Sequence, residues 1–124
     1  MAQLSNATIQ INRQVGSFEL VKLLNDESVD ETTSSAIDTR GAQKISVFVE
    51  SGADVSGGVV KFEGALTEDY AGTWHEIASI TTSSASKLYQ AGAAVDEVLF
   101  PYVRARIETV IAGGTVDAYI AVEK

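Results

Sequence analysis

Between Lys44 and Glu50 the chain reads Lys44-Ile45-Ser46-Val47-Phe48-Val49-Glu50, and this strict alternation constrains the fold more than any other feature. In extended backbone successive side chains point to opposite faces. Ile45, Val47 and Val49 therefore share one face, and Ser46, Phe48 and Glu50 share the other. A strand with one face in a core satisfies this pattern; a helix does not. The alternation returns at Tyr102-Val103-Arg104-Ala105-Arg106-Ile107-Glu108, with Val103, Ala105 and Ile107 inward and both arginines outward, and again over 116–122. Few windows place apolar residues at i, i+3, i+4 and i+7, so little helix is expected.

Further strands are expected at 8–12, 18–24, 35–38, 58–66, 73–81 and 86–90, separated by Gly-, Ser- and Asp-rich turns. Many short strands with turn chemistry between them describe a two-layer antiparallel β-sandwich, jelly-roll-like, with about 8–9 strands. Residues 1–124 form a single domain on this reading, with residues 1–12 as an N-terminal arm or edge strand. Ala112-Gly113-Gly114-Thr115 reads as a hairpin turn joining the last two strands. On that pairing Arg104 and Arg106 would neighbour Glu108 on their own strand and Asp117 or Tyr119 on the next. The polar stretch 25–34 and the Gly-rich stretch 51–58 read as surface loops.

Composition bounds the rest. The 124 residues are 45 % hydrophobic, enough for one core that buries about two-thirds of the unfolded surface. No cysteine is present, which excludes disulfides, thiolate metal sites and cysteine nucleophiles. No apolar run approaches the ~18 residues of a membrane helix, and the first residues lack a signal-peptide pattern, so a soluble protein without a membrane partner is expected. Net charge is −8, and the longest basic cluster is the Arg104, Arg106 pair. Phosphate binding by counterion release needs clustered cations, so direct nucleic-acid binding is not expected.

Each candidate for chemistry has a simpler reading. His75 is the one histidine, and a Ser-His-Asp triad would have to use it, yet a strand position beside Trp74 suits packing better. Asp26, Glu27, Asp30 and Glu31 form the densest acidic group. No aromatic platform accompanies them for glycoside chemistry, and the spacing lacks the order of a calcium loop. A solvated acidic loop is the expectation. Gly57-Gly58 and Gly113-Gly114 read as turn glycines, since no helix follows to cradle a phosphate. Trp74 reads as core or corner packing rather than a sugar platform. Arg104 and Arg106 read either as a cross-strand ion ladder or as a contact for an acidic partner surface. No catalytic, cofactor-binding or metal-binding residue is assigned, and an enzyme is not expected.

The C-terminal half carries Gly58-Val-Val-Lys-Phe-Glu-Gly, Gly72-Thr-Trp-His-Glu-Ile, Phe100-Pro-Tyr-Val-Arg-Ala-Arg-Ile and Gly113-Gly-Thr-Val-Asp-Ala-Tyr-Ile-Ala. Over about 65 residues it resembles small β-sandwich capsid decoration, or cement, proteins of tailed bacteriophages. The resemblance implies a structural virion protein on the capsid surface, made in the host cytoplasm. It also implies a homotrimer that binds the outer surface of the major capsid protein lattice and stabilises the head. On this expectation Ala2, Gln3, Leu4 and Ser5, with Arg104 and Arg106, are the interface residues. The alternatives are a tail, baseplate or head-fibre module, or a carbohydrate-binding sandwich.

Overall fold

The computed structural model describes residues 18–42, 44–91 and 100–123. Eight strands follow in order: β1 (Phe18–Glu27), β2 (Ile37–Asp38), β3 (Lys44–Ser51), β4 (Gly57–Ala65), β5 (His75–Thr81), β6 (Leu88–Gln90), β7 (Tyr102–Ala112) and β8 (Val116–Glu123). They form two four-stranded sheets, ordered β1-β8-β3-β6 and β2-β7-β4-β5. Every pairing is antiparallel. The pairs β1·β8, β2·β7, β3·β6 and β4·β5 are those of one long hairpin rolled across two layers, which is an eight-stranded jelly roll. The expected fold class is thus observed. The expected strand at 8–12 and the N-terminal arm lie outside the described residues.

The core lies where the alternation put it. Ile45, Val47 and Val49 of β3 and Val116, Ala118, Ile120 and Val122 of β8 face Val60 and Phe62 of β4 and Val103, Ala105 and Ile107 of β7, each at most 2 % exposed. Burial of a large aliphatic or aromatic side chain among them contributes about 1.5–3 kcal/mol before chain entropy is counted.

Three expectations need correction. Gly113 and Gly114 do not close a hairpin, because β7 and β8 belong to opposite sheets. In this topology consecutive strands change sheet at every step except β4 to β5, so the connection is an arch over the core. Alternation fixes which face of a strand is buried and leaves its neighbour open. The arch packs on the β3–β4 arch beside it: the Gly52 N–H donates to the Thr115 carbonyl at 2.9 Å and the Ser56 N–H to the Ala112 carbonyl at 2.8 Å. At Gly113, with φ of +87°, an added Cβ would collide with the Asp54 carbonyl oxygen. Only glycine fits there.

Gly57 and Gly58 do not make a turn either. They begin β4, where the register slips against β7, and a Cβ on Gly58 would meet the Ile111 side chain at 2.5 Å. This is a β-bulge glycine. The stretch 25–34 is the expected surface loop only from Ser28 onward. Its first three residues end β1, and the next ones are stitched along β7. The Glu31 N–H donates to the Ile107 carbonyl at 2.7 Å, the Ile107 N–H to the Thr32 carbonyl at 2.9 Å, and the Ser34 N–H to the Ala105 carbonyl at 2.8 Å. Backbone pairing holds the segment although its side chains are too polar to bury, and the outer margin of β7 is covered in the process.

Candidate functional site

The outward face of the β2-β7-β4-β5 sheet presents side chains from neighbouring strands at one level. Glu63 of β4 lies opposite Arg104 of β7, and Lys61 lies opposite Arg106. The Arg104 Nε donates to one carboxylate oxygen of Glu63 at 3.1 Å and the Arg106 Nε to the other at 2.8 Å. Glu63 is only 4 % exposed. A carboxylate this deep needs both partners to offset its lost hydration. Arg106 reaches further, its Nη1 donating to Glu31 at 3.2–3.3 Å. Lys61 bridges Glu76 at 2.9 Å and Glu108 at 3.3 Å.

Trp74 closes one side. Its indole N–H donates to the Tyr70 carbonyl at 2.9 Å, Tyr70 meets the ring edge-on, and the Arg104 guanidinium stacks 4.1 Å from the ring centroid. That stacking is a cation–π contact. Trp74 is therefore corner packing, its ring covered by Arg104. Between these groups lies a concavity of about 390 Å³.

The electrostatics follow from the partners. Burial pulls the Arg106 pKa down, but the hydrogen bond and charge of Glu63, with Glu31 and Glu108, more than offset it and hold the guanidinium above its ordinary value. The Lys61 ammonium is raised by its hydrogen bond to Glu76, against a desolvation cost, with Glu108 adding to the rise. Each carboxylate lining the cavity, Glu31, Glu63 and Glu76, has a cation within 3.3 Å. The cavity lining is charge-balanced, with Glu31, Glu63 and Glu76 against Lys61, Arg104 and Arg106.

Arg104 and Arg106 are thus brought together, but by Glu63, not by the expected Asp117 or Tyr119, which lie in the other sheet. Glu108, the other expected neighbour, does act on the Arg106 charge and forms its ion pair with Lys61. Ala2, Gln3, Leu4 and Ser5 lie outside the described residues. Among Asp26, Glu27, Asp30 and Glu31, only Glu31 joins this site. Among the described residues, no group of three or more His, Asp or Glu side chains is placed to hold a metal ion. His75 stacks on Phe100 with centroids 5.2 Å apart.

The opposite outer face differs in kind. On β1-β8-β3-β6, the outward residues Leu20, Tyr119, Phe48 and Leu88 line an apolar concavity of about 340 Å³ that Glu50 borders. Leu20 is 56 % and Leu88 61 % exposed. The signal in the sequence was Phe48, an aromatic in the polar half of the β3 alternation; Leu20 and Leu88 gave none.

With two antiparallel sheets and these two outer faces, the chain belongs to the class of jelly-roll β-sandwiches. Its fold is similar to that of the SPBc2 prophage-derived protein YomS, with a TM-score of 0.59 at 12 % identity, covering 96 % of this chain and 100 % of that one. No family model matches the sequence, and a search of curated proteins finds no relative.

Proposed function

We propose that the chain is a structural protein of a tailed-phage particle. In its finer form, the reading is a capsid decoration protein that sits as a homotrimer on the outer surface of the major capsid lattice and stabilises the head. The observation that carries it is the sandwich shared, over nearly the whole of both chains, with a prophage-derived protein. The physics agrees with a passive role. A core closed by interdigitating aliphatics and an outer face laced with ion pairs make a stiff body. Such a body acts through its surfaces and margins, and repeated engagement on a shell multiplies weak contacts. On this reading the partners are the major capsid protein and further copies of the chain, and the place of action is the virion surface. Neither nucleic acid nor membrane is contacted, and no cofactor is needed.

The test is to mix the purified chain with empty capsid shells, sediment them, and measure the native mass of the unbound protein. Co-sedimentation of a trimer is expected. A monomer that stays in the supernatant contradicts the decoration reading, and co-purification with tails instead of heads favours a tail or baseplate module.

A further inference from the structure

The apolar groove on the β1-β8-β3-β6 face does not end in neutral surface. Tyr119 lies opposite Phe48, and one register step along the same strands Asp117 lies opposite Glu50, which in turn lies opposite Leu88. Outward residues two apart on a strand are separated by roughly 6.5–7 Å. The carboxylates therefore begin where the groove stops. There Asp26, Glu50 and Asp117 line a second concavity of about 220 Å³, and Glu50 borders both. Asp117 is already engaged, accepting the Asp26 N–H at 2.8 Å and lying 3.8 Å from the Lys22 ammonium. Glu50 has no side-chain hydrogen bond or ion pair among the described residues.

We infer that this face docks an extended partner protein segment whose one face presents apolar side chains followed, two residues further along, by a Lys or Arg. The apolar residues fill the groove between Leu20 and Leu88, and a cation reaches the Glu50 and Asp117 carboxylates. Charge complementarity selects this occupant. A second copy of the chain, itself at −8, docked two-fold on this face would set acidic pocket against acidic pocket, and like charges brought together across an interface are unfavourable. An acidic or purely apolar segment would leave Glu50 desolvated and unpaired. The concavity on the opposite outer face offers no comparable unpaired carboxylate, since its carboxylates are already paired with Lys61, Arg104 and Arg106. The inference goes beyond the particle reading, because it concerns which face meets a partner and what chemistry that partner presents.

Two synthetic probes test it: strand-length peptides with Ser at every second position and, on the other face, two Leu followed by two Lys or by two Glu, titrated into the ¹⁵N-labelled protein. The Leu/Lys peptide is expected to shift amide resonances of β3 and β8, and the Leu/Glu peptide to leave them in place. Leu20→Ser with Leu88→Ser should weaken the Leu/Lys peptide about tenfold, as should Glu50→Gln with Asp117→Asn. The charge-matched control Glu76→Gln with Glu108→Gln, on the other sheet, should leave its affinity unchanged. Asp117 is half-buried and Glu76 and Glu108 pair with Lys61, so circular dichroism of every variant accompanies the titration and only folded variants are compared. Equal binding of both peptides, equal weakening by the control pair, or a dimer or trimer of the free protein that Leu88→Ser dissolves would overturn the inference. Capsid shells take no part in this titration, so its failure and that of the particle reading are separately visible.

Discussion

Arg106 donates through Nε to Glu63 at 2.8 Å across the β7–β4 ladder, onto a carboxylate that is almost wholly withdrawn from water. Together with Arg104 this makes Glu63 the keystone of the outer face. Removing one member of a buried pair leaves the others desolvated without a counter-charge, which costs more than the pair contributes. Glu63→Ala is expected to lower unfolding stability by about 3 kcal/mol, the lower end of the range because the arginine side chains remain 20–23 % exposed. The triple variant Glu63→Leu, Arg104→Met, Arg106→Met should lie within about 1 kcal/mol of wild type. Urea denaturation of the three proteins measures both.

A second prediction separates backbone strain from collision. Gly41 and Gly113 both have φ near +85° (+83° and +87°), but a Cβ on Gly41 meets nothing within 4 Å, whereas one on Gly113 strikes the Asp54 carbonyl. Gly41→Ala should cost about 1 kcal/mol, the left-handed penalty alone. Gly113→Ala should cost more than about 3 kcal/mol, because the two arches must also part. Thermal melts of the two variants, compared at one pH, give the difference.

Lys61 supplies a pH dependence of defined sign. Its folded-state pKa is raised above the ordinary value of about 10.5 by Glu76 and then Glu108. The folded chain therefore holds this proton more tightly than the unfolded chain does. The stabilisation is fully present below the ordinary lysine value and is lost as pH rises through the raised one. Lys61→Met should unfold at lower denaturant than wild type near pH 8, and the gap should narrow above about pH 10.5. A gap that widened with alkali would show that Lys61 is not stabilised by its carboxylates.

The interface expected at the N-terminus is testable without structural assumptions. Deleting residues 1–5, and with them Ala2, Gln3, Leu4 and Ser5, should abolish pelleting with shells while leaving the melting temperature within a few degrees of wild type. Arg104→Ala is expected to weaken pelleting and also to destabilise the fold, because it strips a partner from Glu63 and uncovers Trp74. Circular dichroism on the same samples separates the two effects.

How much of this was legible in the sequence depends on what each residue's neighbour is. Val47, Val103 and Ile107 announced their buried faces through local alternation, because the pleat alone decides which side a side chain takes. The partner of Arg106 was not legible. Glu63 lies 43 residues away in sequence, and nothing local to either strand records that β7 lies beside β4 rather than β8. The Gly113-Gly114 pair failed for the same reason: a tight glycine turn suits a hairpin and an arch equally. In the polar stretch ending at Ser34, side-chain composition suggested solvent while backbone hydrogen bonds tied it to β7. Composition does not encode such bonds.

Copy number in purified particles tests the central claim most directly. On the proposed reading, quantitative mass spectrometry of purified virions should find this chain in the head, at an abundance on the scale of the major capsid protein itself. Its absence from particles, or its presence only at the level of tail components, would contradict the account of a jelly roll that reinforces a capsid lattice from outside.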